Sequence, residues 1–586
     1  MHVGGEAEDC SRRSSAQAFS PSVICRAQIA AGVGAADCEE QYLQTPKGAA
    51  HIAGYFEDPD VARKGIEFLV DIGDLEPELF KHHIPLFNGQ YGIAITNHRT
   101  NSVHLIANLL GTVPIYYAQT ERGWVWSFSL RGLLPHLSSR TIDQKGLLEI
   151  FLHQWLMGER TLLSDVRQVL PGECVTLQAG QPVRRGIYRR FEFSPANNAF
   201  DETDLLEKTN RALDDYLASL RRRYDRIAIL FSGGVDSSLL LAKAREHDFE
   251  RIVAVTVRYT GHDNPELERA LEVARHLGHE PLIVDVEDGL IESRMEDLVS
   301  ILERPPAYLN GWARTCIFEA IKDDVEVALT GEGADCLFGS DEIAGIKQFN
   351  DKQRVLRYVP WPLRRIVSQA LYRIPLGIAR RLSRLLEFST ADLIRMGGSF
   401  EVGIKKNEIR VADLAPGLRA YCEGRSPSMY EEFEPSGSSS CVSVAQTRSL
   451  YTSNRNQLFV YGRHAAQFGI PVLHPFLSAT MLELGKTLPD AAKQDSRGAK
   501  PLLKKLACRY IPHDVVYGKK YDFRAPVATW LEGPLSAWPK ILRDNVTRAR
   551  GIFDVSVANR LAGDANRNLI VVGATLEIFF RQFLDV

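Results

Sequence analysis

A strand followed at once by a glycine-rich turn and a helix constrains the fold of this chain most. Residues 226–231 read RIAILF, an apolar, largely β-branched run typical of a buried strand. The turn Ser232-Gly233-Gly234 interrupts the run, and an apolar helical pattern resumes from Ser237. Two glycines let backbone N–H groups close around an anion, and the helix N-terminus adds its partial positive charge. The segment therefore predicts a phosphate-binding loop.

Polar side chains of this loop add further ligands. Ser232, Ser237 and Ser238 carry hydroxyl donors, and Asp236 supplies a hard carboxylate suited to magnesium. The loop is not of the Walker type, because no Gly-Lys-Ser/Thr follows it. Its SGGxDS pattern resembles the pyrophosphate loop of ATP pyrophosphatases, which cleave ATP between the α- and β-phosphates and adenylylate a substrate. The alternative is a glycine turn that only joins a strand to a helix.

Bulk properties exclude several classes of protein. A chain of 586 residues with 45% hydrophobic and 24% charged residues is typical of a multidomain globular protein. The formal net charge of −3 argues against nucleic acid as the main partner. The sequence has no apolar run of about 18 residues and no signal peptide, which predicts a cytoplasmic protein without a membrane span. Nine scattered cysteines without a C-x-x-C pair argue against disulfides and zinc.

The pattern of predicted elements indicates two domains. Residues 51–190 are strand-like with turn punctuation, and residues 194–204 have the composition of a linker. Strands and helices then alternate from residue 226 to 330, which predicts a parallel, doubly wound sheet with its ligand at the carboxyl ends of the strands. We place the domains at 1–195, with the first fifty residues uncertain, and 205–586.

A second loop is predicted at the same edge of that sheet. The strand 325–330, VEVALT, is followed by Gly331-Glu332-Gly333-Ala334-Asp335. Two loops about a hundred residues apart would then face one nucleotide, and Asp236 and Asp335 would share magnesium. The alternative for Asp335 is a helix N-cap.

Together these motifs resemble the asparagine synthetase family, whose synthetase domain carries SGGxDS and a G-[DE]-G-[AS]-D-E-L-F-G-G loop. The likeness extends over roughly residues 80 to 580. Its other segments are LFNGQYGIAI (86–95), LGTVPIYYA (110–118), GERTLLSDVRQVLPGECVTL (158–177), HPFLS (474–478) and GKKYDFRAPVATWLEGPL (518–535).

The resemblance implies an α/β fold. Its first part is an N-terminal Ntn-hydrolase-like (glutaminase-like), β-rich sandwich domain. Its second is a C-terminal doubly wound parallel-sheet ATP-pyrophosphatase domain with a helical C-terminal portion. It also implies ATP and Mg²⁺ as cofactors, Lys520 (or the adjacent Lys519) at the phosphorus centre, and Glu332 as acceptor of the amine's proton. The implied nucleotide and metal ligands are Ser232, Gly233, Gly234, Asp236, Ser237, Ser238, Val255, Gly331 and Asp335.

The N-terminal half departs from the family pattern. Glutamine-dependent members expose a cysteine after removal of Met1, whereas position 2 here is His2. The first eighty residues contain no NGExYN segment, and the family's L-D-G aspartate is Asn88. These changes predict an inactive glutaminase.

The substrate side of the synthetase half departs as well. In VYGRHAAQFGIPVLHPFLS (460–478) the family's Asp, Glu and second Arg become Gly462, Pro471 and Leu473, whereas Arg463 persists. The family's DEP becomes ERP at 303–305. Free aspartate needs fixed charges around it, so this rewriting predicts another acid and an amine other than ammonia. His464 and His474 are more readily explained as packed histidines than as catalytic ones.

Two relatives share these departures, the β-lactam synthetases and the lasso peptide cyclases. β-Lactam synthetases carry tyrosine at the position of Glu332, which favours the cyclases; these join a peptide's Asp or Glu side chain to its own α-amine. The resemblance thus implies a precursor peptide as substrate and a companion leader peptidase. An ammonia-dependent asparagine synthetase, a β-lactam synthetase-like cyclase and a non-catalytic scaffold that binds nucleotide or peptide are the competing functions.

A basic segment interleaved with apolar residues lies between the second loop and the C-terminal motifs. It offers either a peptide-binding surface or a solvated helical face. Its arginines are Arg354, Arg357, Arg364, Arg365, Arg373, Arg380, Arg381 and Arg384.

Overall fold

The computed structural model describes most of the chain. The described residues are 23–25, 41–72, 89–194, 200–306, 309–356, 358–374, 377–387, 390, 394, 440–495, 497–518, 525–552 and 567–585. The strands are β1 Val23–Cys25, β2 Gln41–Thr45, β3 Gly48–Phe56, β4 Gly89–Asn97, β5 Ser102–Ala107, β6 Tyr116–Thr120, β7 Gly123–Ser127, β8 Val166–Gln168, β9 Glu173–Gln178, β10 Arg184–Ile187, β11 Arg226–Leu230, β12 Arg251–Tyr259, β13 Leu282–Val286, β14 Val327–Leu329, β15 Val472–Leu473, β16 Gln494–Asp495 and β17 Gly498–Ala499.

The helices lie mainly in the second half. They are α1 Pro59–Ile72, α2 Leu130–Leu133, α3 Gln144–His153, α4 Glu202–Arg221, α5 Val235–Ala244, α6 Pro265–His276, α7 Ile291–Leu302, α8 Gly311–Ile321, α9 Ala334–Phe338, α10 Asp341–Leu356, α11 Trp361–Tyr372, α12 Gly377–Glu387, α13 Cys441–Ser449, α14 Arg455–Ala466, α15 Ala479–Thr487, α16 Asp490–Lys493, α17 Pro501–Ala507, α18 His513–Val516, α19 Val527–Glu532, α20 Trp538–Ile541, α21 Asn545–Ala549 and α22 Arg567–Phe583.

Two sheets build the N-terminal half. One has the order β10-β9-β5-β4-β3-β2 with antiparallel neighbours, and the other has the order β1-β7-β6-β8. Alternate residues of each sheet point into one shared apolar core, in which Trp126 of the smaller sheet contacts the ring of His51 from the larger one. The predicted β-rich N-terminal domain is therefore confirmed.

A five-stranded parallel sheet of order β13-β12-β11-β14-β15 forms the centre of the second half. One of its faces packs on α4, α5 and α6, and the other packs on α7 and α8, so the sheet is doubly wound as predicted. The strand order reverses at β11, because β12 lies on one side of it and β14 on the other. The loops after β11 and β14 therefore leave the sheet at the point where such folds bind ligands.

The predicted strands 226–231 and 325–330 are observed as β11 and β14, with bounds that differ by at most two residues. Asn264 stands at the N-cap of α6, but its side chain makes no capping hydrogen bond. Its Oδ1 instead accepts from the N–H of Tyr259 at 2.8 Å, which ties the end of β12 to the start of α6. The competing backbone donor comes from the preceding strand, a contact that local sequence does not show.

The chain ends in a helix that is apolar on nearly all sides. In α22, residues 570–580 are all buried, and the helix packs against α7 and α20. Among the described residues, no helix combines the length and apolar composition needed to cross a membrane.

Candidate active site

The loop between β11 and α5 is built around a close approach to α6. Gly233 has a φ of +68°, and a Cβ at this position would lie 2.6 Å from Cα of Ala270. The N–H of Ser232 donates to Oγ of Ser237 at 3.2 Å, which closes the turn onto the first turn of α5. Ser238 Oγ is buried and has no hydrogen-bond partner among the described residues. The loop thus presents backbone N–H groups and an unused hydroxyl, as a phosphate site requires.

The loop after β14 lies directly against this first loop. A Cβ on Gly331 would lie 2.9 Å from Cβ of Asp236, so only glycine lets the two loops touch. Gly333 has a φ of +93°, and a Cβ there would meet Leu477 Cγ at 2.4 Å. Two glycines therefore bring Glu332 and Asp335 to the first loop.

Gly331→Ala should separate the loops without changing the fold. Because the φ of Gly331 is not positive, alanine adds no backbone strain and meets only Asp236 and the backbone nitrogen of Ser237, which lies 3.3 Å from the added Cβ. We expect the KM for ATP to rise about tenfold or more, the value of one or two lost hydrogen bonds to charged groups, and the melting temperature to change by only a few degrees. Initial rates at varied ATP and thermal unfolding measure both. Gly345→Ala on α10 is a control, because a Cβ there meets nothing within 4 Å. Equal KM values for ATP in both variants would contradict the role of the contact.

A lysine that the sequence analysis did not select lies between the two predicted metal ligands. Lys500 Nζ is 2.5 Å from Oδ2 of Asp236 and 2.7 Å from Oδ1 of Asp335. Although burial lowers the pKa of Lys500, the charges of both carboxylates and their hydrogen bonds raise it above its usual value. The side chain is therefore a fixed ammonium ion. In the sequence, Lys500 is only a lysine that precedes the apolar helix α17. Such a pattern is too common to predict a functional residue.

The donor set fits a magnesium-bound triphosphate. Asp236 and Asp335 offer hard oxygen donors, and Mg²⁺ in proteins is commonly held by one or two carboxylates together with phosphate oxygens. Bound there, Mg²⁺ would offset charge on the triphosphate. The Ser232–Ser238 loop would hold the phosphates, and Lys500 would supply a second positive charge. No group of three or more His, Cys, Asp or Glu side chains within the described segments is placed to hold a metal by itself.

Glu332 is held in the second loop with a perturbed acidity. Burial raises its pKa to about 7, the positive charge of Arg314 opposes this, and Asp335 and Asp236 reinforce it. Its Oε2 accepts a hydrogen bond from Nδ2 of Asn454 at 3.3 Å. A carboxylate with a pKa near neutrality can take a proton from an amine during reaction and release it to solvent afterwards.

Asn454 reaches Glu332 because a helix changes its pitch. Residues Leu450–Asn454 form a π-helical turn between α13 and α14. The wider turn shifts the side chains by about one position and directs Asn454 to Glu332 of the second loop. Sequence periodicity does not show where a helix widens into a π-helical turn, so it does not reveal this residue.

A buried histidine contacts Thr330, the residue that precedes the second loop. Thr330 Oγ1 lies 2.6 Å from Nδ1 of His474 and accepts from the N–H of Glu332 at 3.2 Å. Burial lowers the pKa of His474 to about 3, so the imidazole is neutral. His464 is likewise buried and bonded to Thr315, as expected for packed histidines.

Thr330→Val should therefore impair catalysis without unfolding the protein. Valine keeps the shape but removes the hydrogen bonds to His474 and to the N–H of Glu332. We expect kcat to fall about tenfold with the KM for ATP little changed, because Thr330 acts only through Glu332. Steady-state kinetics provide the test, and Thr330→Ser should retain most of the activity. A rise in the KM for ATP with unchanged kcat would contradict a positioning role.

The remaining predicted residues are placed as follows. Val255 is paired with Leu230 at the end of β11, and its carbonyl accepts from the N–H of Phe231 at 2.8 Å. Its side chain is buried, so any contact with a nucleoside would have to come from neighbouring backbone. Lys519 and Lys520 lie outside the described residues.

Comparison with known proteins shows which family the chain belongs to. A family model described as asparagine synthase matches residues 208–581, and one described as a glutamine amidotransferase domain matches residues 77–188. The chain is 23% identical over 472 residues to "Asparagine synthetase [glutamine-hydrolyzing] 1" of Bacillus subtilis, covering 79% of this chain and 72% of that protein. It is 24% identical over 531 residues to a "Putative asparagine synthetase [glutamine-hydrolyzing]" of Mycobacterium tuberculosis, covering 86% and 78%.

One relative with a shorter matched region is named as an amidase and not as an asparagine synthetase. "Amidase chyE" of Penicillium rubens is 23% identical over 285 residues, covering 44% of this chain and 41% of that protein. The asparagine synthase match spans well over half of the chain and contains both loops and Lys500. The chain therefore belongs to the asparagine synthase family and is an ATP-dependent carbon–nitrogen ligase.

Proposed function

We propose that this ligase adenylylates an Asp or Glu side chain of a peptide and that an amine of the same peptide then displaces AMP. The product is a macrolactam, as in the lasso peptide cyclases. The observation that carries the proposal is open space where the family pattern has an aspartate. Gly462 lies on the last turns of α14, and a Cβ there would meet no atom within 4 Å. Without that carboxylate, this position offers no negative charge to a free amino acid's ammonium, and the open space leaves room for a larger chain.

The first step follows from the charges at the two loops. The substrate carboxylate attacks the α-phosphorus of ATP, one P–O bond forms, and the bond to pyrophosphate breaks. Lys500 stays protonated and stabilises negative charge that develops on the phosphoryl oxygens. Lys520 is proposed to act on the same centre.

The second step needs a base. The amine attacks the acyl carbon, the bond to AMP breaks, and the amine loses a proton. Glu332 is the proposed base: Asn454 donates to its carboxylate, Thr330 accepts from its N–H, and its pKa of about 7 suits a group that cycles between its two protonation states.

The N-terminal half is proposed to be inactive as a glutaminase. Within its described residues, Cys174 is buried on β9, and burial raises the pKa of its thiol, so it remains protonated and cannot act as a nucleophile. An enzyme that uses an amine of its own substrate needs no ammonia from glutamine.

A helical hairpin is proposed as the surface for the peptide or its leader peptidase. Helices α11 and α12 pack together through Ser368 and Ser383, whose Oγ atoms lie 3.0 Å apart. Large apolar side chains nevertheless remain exposed: Trp361, Leu363, Ile366, Ile378 and Leu382. Exposed arginines such as Arg365 lie among them, which suits an acidic amphipathic segment. Arg357 of the predicted basic segment lies outside the described residues.

Separate incubations with different candidate substrates test the proposal directly. The full chain would be incubated with Mg²⁺ and ATP together with aspartate and ammonium, aspartate and glutamine, or synthetic peptides encoded by short reading frames beside the gene. We expect AMP, pyrophosphate and a peptide lighter by one water, and no asparagine. Robust asparagine formation from ammonium would overturn the peptide substrate in favour of an ammonia-dependent asparagine synthetase, the function that the names of the relatives suggest.

A further inference from the structure

An arginine cluster lies where α14 faces the N-terminal half. It consists of Arg304, Arg455 and Arg463. Arg455 Nε donates to the carbonyl oxygen of Gly111 at 3.3 Å, and Arg463 Nε donates to the carbonyl oxygen of Ile301 at 2.8 Å. The guanidinium carbon of Arg304 lies 3.6 Å from the ring centroid of Phe459 on α14. The three guanidinium groups therefore lie close enough for the charges of Arg455 and Arg463 to act on Arg304.

One carboxylate near the arginine cluster, that of Glu303, already has an ion-pair partner and hydrogen-bond donors. Glu303 Oε2 lies 3.1 Å from Nη2 of Arg463 and accepts from the N–H of Leu130 at 2.7 Å. Its other oxygen accepts from the hydroxyl of Ser129. Glu303 therefore joins the two halves of the chain and balances one arginine. Within the described residues, Nη2 of Arg304 is buried and has no hydrogen-bond partner.

The position of Arg304 is electrostatically unfavourable as it stands. Burial lowers its pKa to about 9, the side chain of Tyr116 opposes this, and the like charges of Arg455 and Arg463 lower it further. A buried cation without a paired carboxylate destabilises a fold, and replacing it by a neutral residue would improve stability. Such a cost is typical of functional sites, where a ligand supplies the missing charge.

The arginine cluster lies on a different face of the helix from the residue that contacts the second loop. Arg455, Phe459 and Arg463 follow one another at intervals of four residues, so they share one face of α14. Asn454, which contacts Glu332 of the second loop, precedes Arg455 by one residue and belongs to the π-helical turn, so its side chain leaves the helix in a different direction. The arginine cluster faces the N-terminal half, where Arg455 donates to the carbonyl oxygen of Gly111.

We propose that the arginine cluster binds a carboxylate of the acid substrate, distinct from the carboxylate that is activated. This proposal rests on the proposed function, because it describes the acid that the site adenylylates. Guanidinium groups bind carboxylates in a planar, two-point geometry, which fixes orientation as well as charge. Arg304 stands where the resembling family has glutamate, so the charge preference of this position is reversed. The acid substrate therefore carries at least two carboxylates.

Arg304→Glu separates this role from a structural one. The variant places a carboxylate between Arg455 and Arg463, so without ligand we expect a melting temperature equal to or above that of the parent. Succinate, at constant ionic strength adjusted with sodium chloride, should raise the melting temperature of the parent protein by several degrees and leave that of the variant unchanged. Arg122→Glu, an equal charge change at an exposed hairpin turn, should respond like the parent. Arg304→Met gives the same readout should the glutamate variant fail to fold.

Two results would overturn the proposal. One is a variant that melts at a lower temperature but still responds to succinate, which would make Arg304 a structural cation. The other is a parent protein stabilised by inorganic phosphate but not by succinate, which would make the anion a phosphate. Because these measurements need no turnover, the arginine cluster can be supported even if no peptide is cyclised. Conversely, if Arg304→Glu cyclises the peptide with an unchanged KM, the carboxylate-binding role of the arginine cluster is contradicted and the proposed function is not.

Discussion

Asp236→Ala should abolish AMP release, with a loss of at least about 10²- to 10³-fold, the range found when one fixed group of an oxyanion-type site is removed. Asp236 lies at the second residue of α5, contacts Gly331 and shares Lys500 with Asp335. Its loss would remove a proposed ligand for magnesium and would leave Lys500 with one carboxylate. Quantitative assay of AMP with the peptide substrate measures the effect.

Nucleotide binding gives a second readout that needs no substrate. With Mg²⁺ present, the affinity of Asp236→Ala for ATP should fall, because the metal loses a carboxylate. With EDTA, the affinity should stay equal or rise, because a negative charge that repels the triphosphate is gone. Asp285→Ala is the matched control, since Asp285 pairs with Arg258 on the exposed end of the sheet. An equal loss of affinity with and without Mg²⁺ would exclude a metal ligand at Asp236.

Glu332→Gln should separate the two half-reactions. Pyrophosphate exchange with the acid substrate should stay within about threefold of the parent, because Glu332 does not act on the phosphorus. Amide formation should fall about 10²- to 10⁴-fold, the usual contribution of a general base. Glu319→Gln, at an exposed position of α8, provides the control. Loss of pyrophosphate exchange in Glu332→Gln would assign this carboxylate to adenylylation instead.

The pH dependence of amide formation by the parent enzyme should report the ionisation of Glu332. A base must be ionised, so amide formation should rise as the pH passes through about 7, the pKa to which burial raises Glu332. The rate of Glu332→Gln should lack this rise. Because the folded state favours the protonated form, the stability that Glu332 contributes is fully present below its unfolded pKa and is lost as the pH rises to about 7. The variant should therefore be at least as stable as the parent at pH 8.

Much of the second half could be predicted because local and global signals agree there. The β-branched run of β11, the glycine pair after it and the apolar face of α6 each predict the same parallel α/β unit. Parallel strands place both loops at one edge, so the encounter of Asp236 with Asp335 follows from topology.

Other site residues depend on contacts that a sequence does not display. Lys500 contacts Asp335 but follows it by 165 residues in the chain, and it enters the site through a left-handed residue conformation, φ +58°. Asn454 reaches Glu332 through a π-helical turn. Arg304 becomes informative only when its burial and its neighbours from α14 are known. Long-range packing decides each of these, whereas periodicity and composition report only local preference.

The most direct test of the central claim is a crystal structure of the full chain with Mg²⁺ and α,β-methylene ATP. The account predicts the triphosphate against the N–H groups of the Ser232–Ser238 loop, oxygens of Asp236 and Asp335 on magnesium, and Lys500 Nζ beside the phosphates. A nucleotide bound elsewhere, with the pair of carboxylates still closed on Lys500 alone, would contradict it.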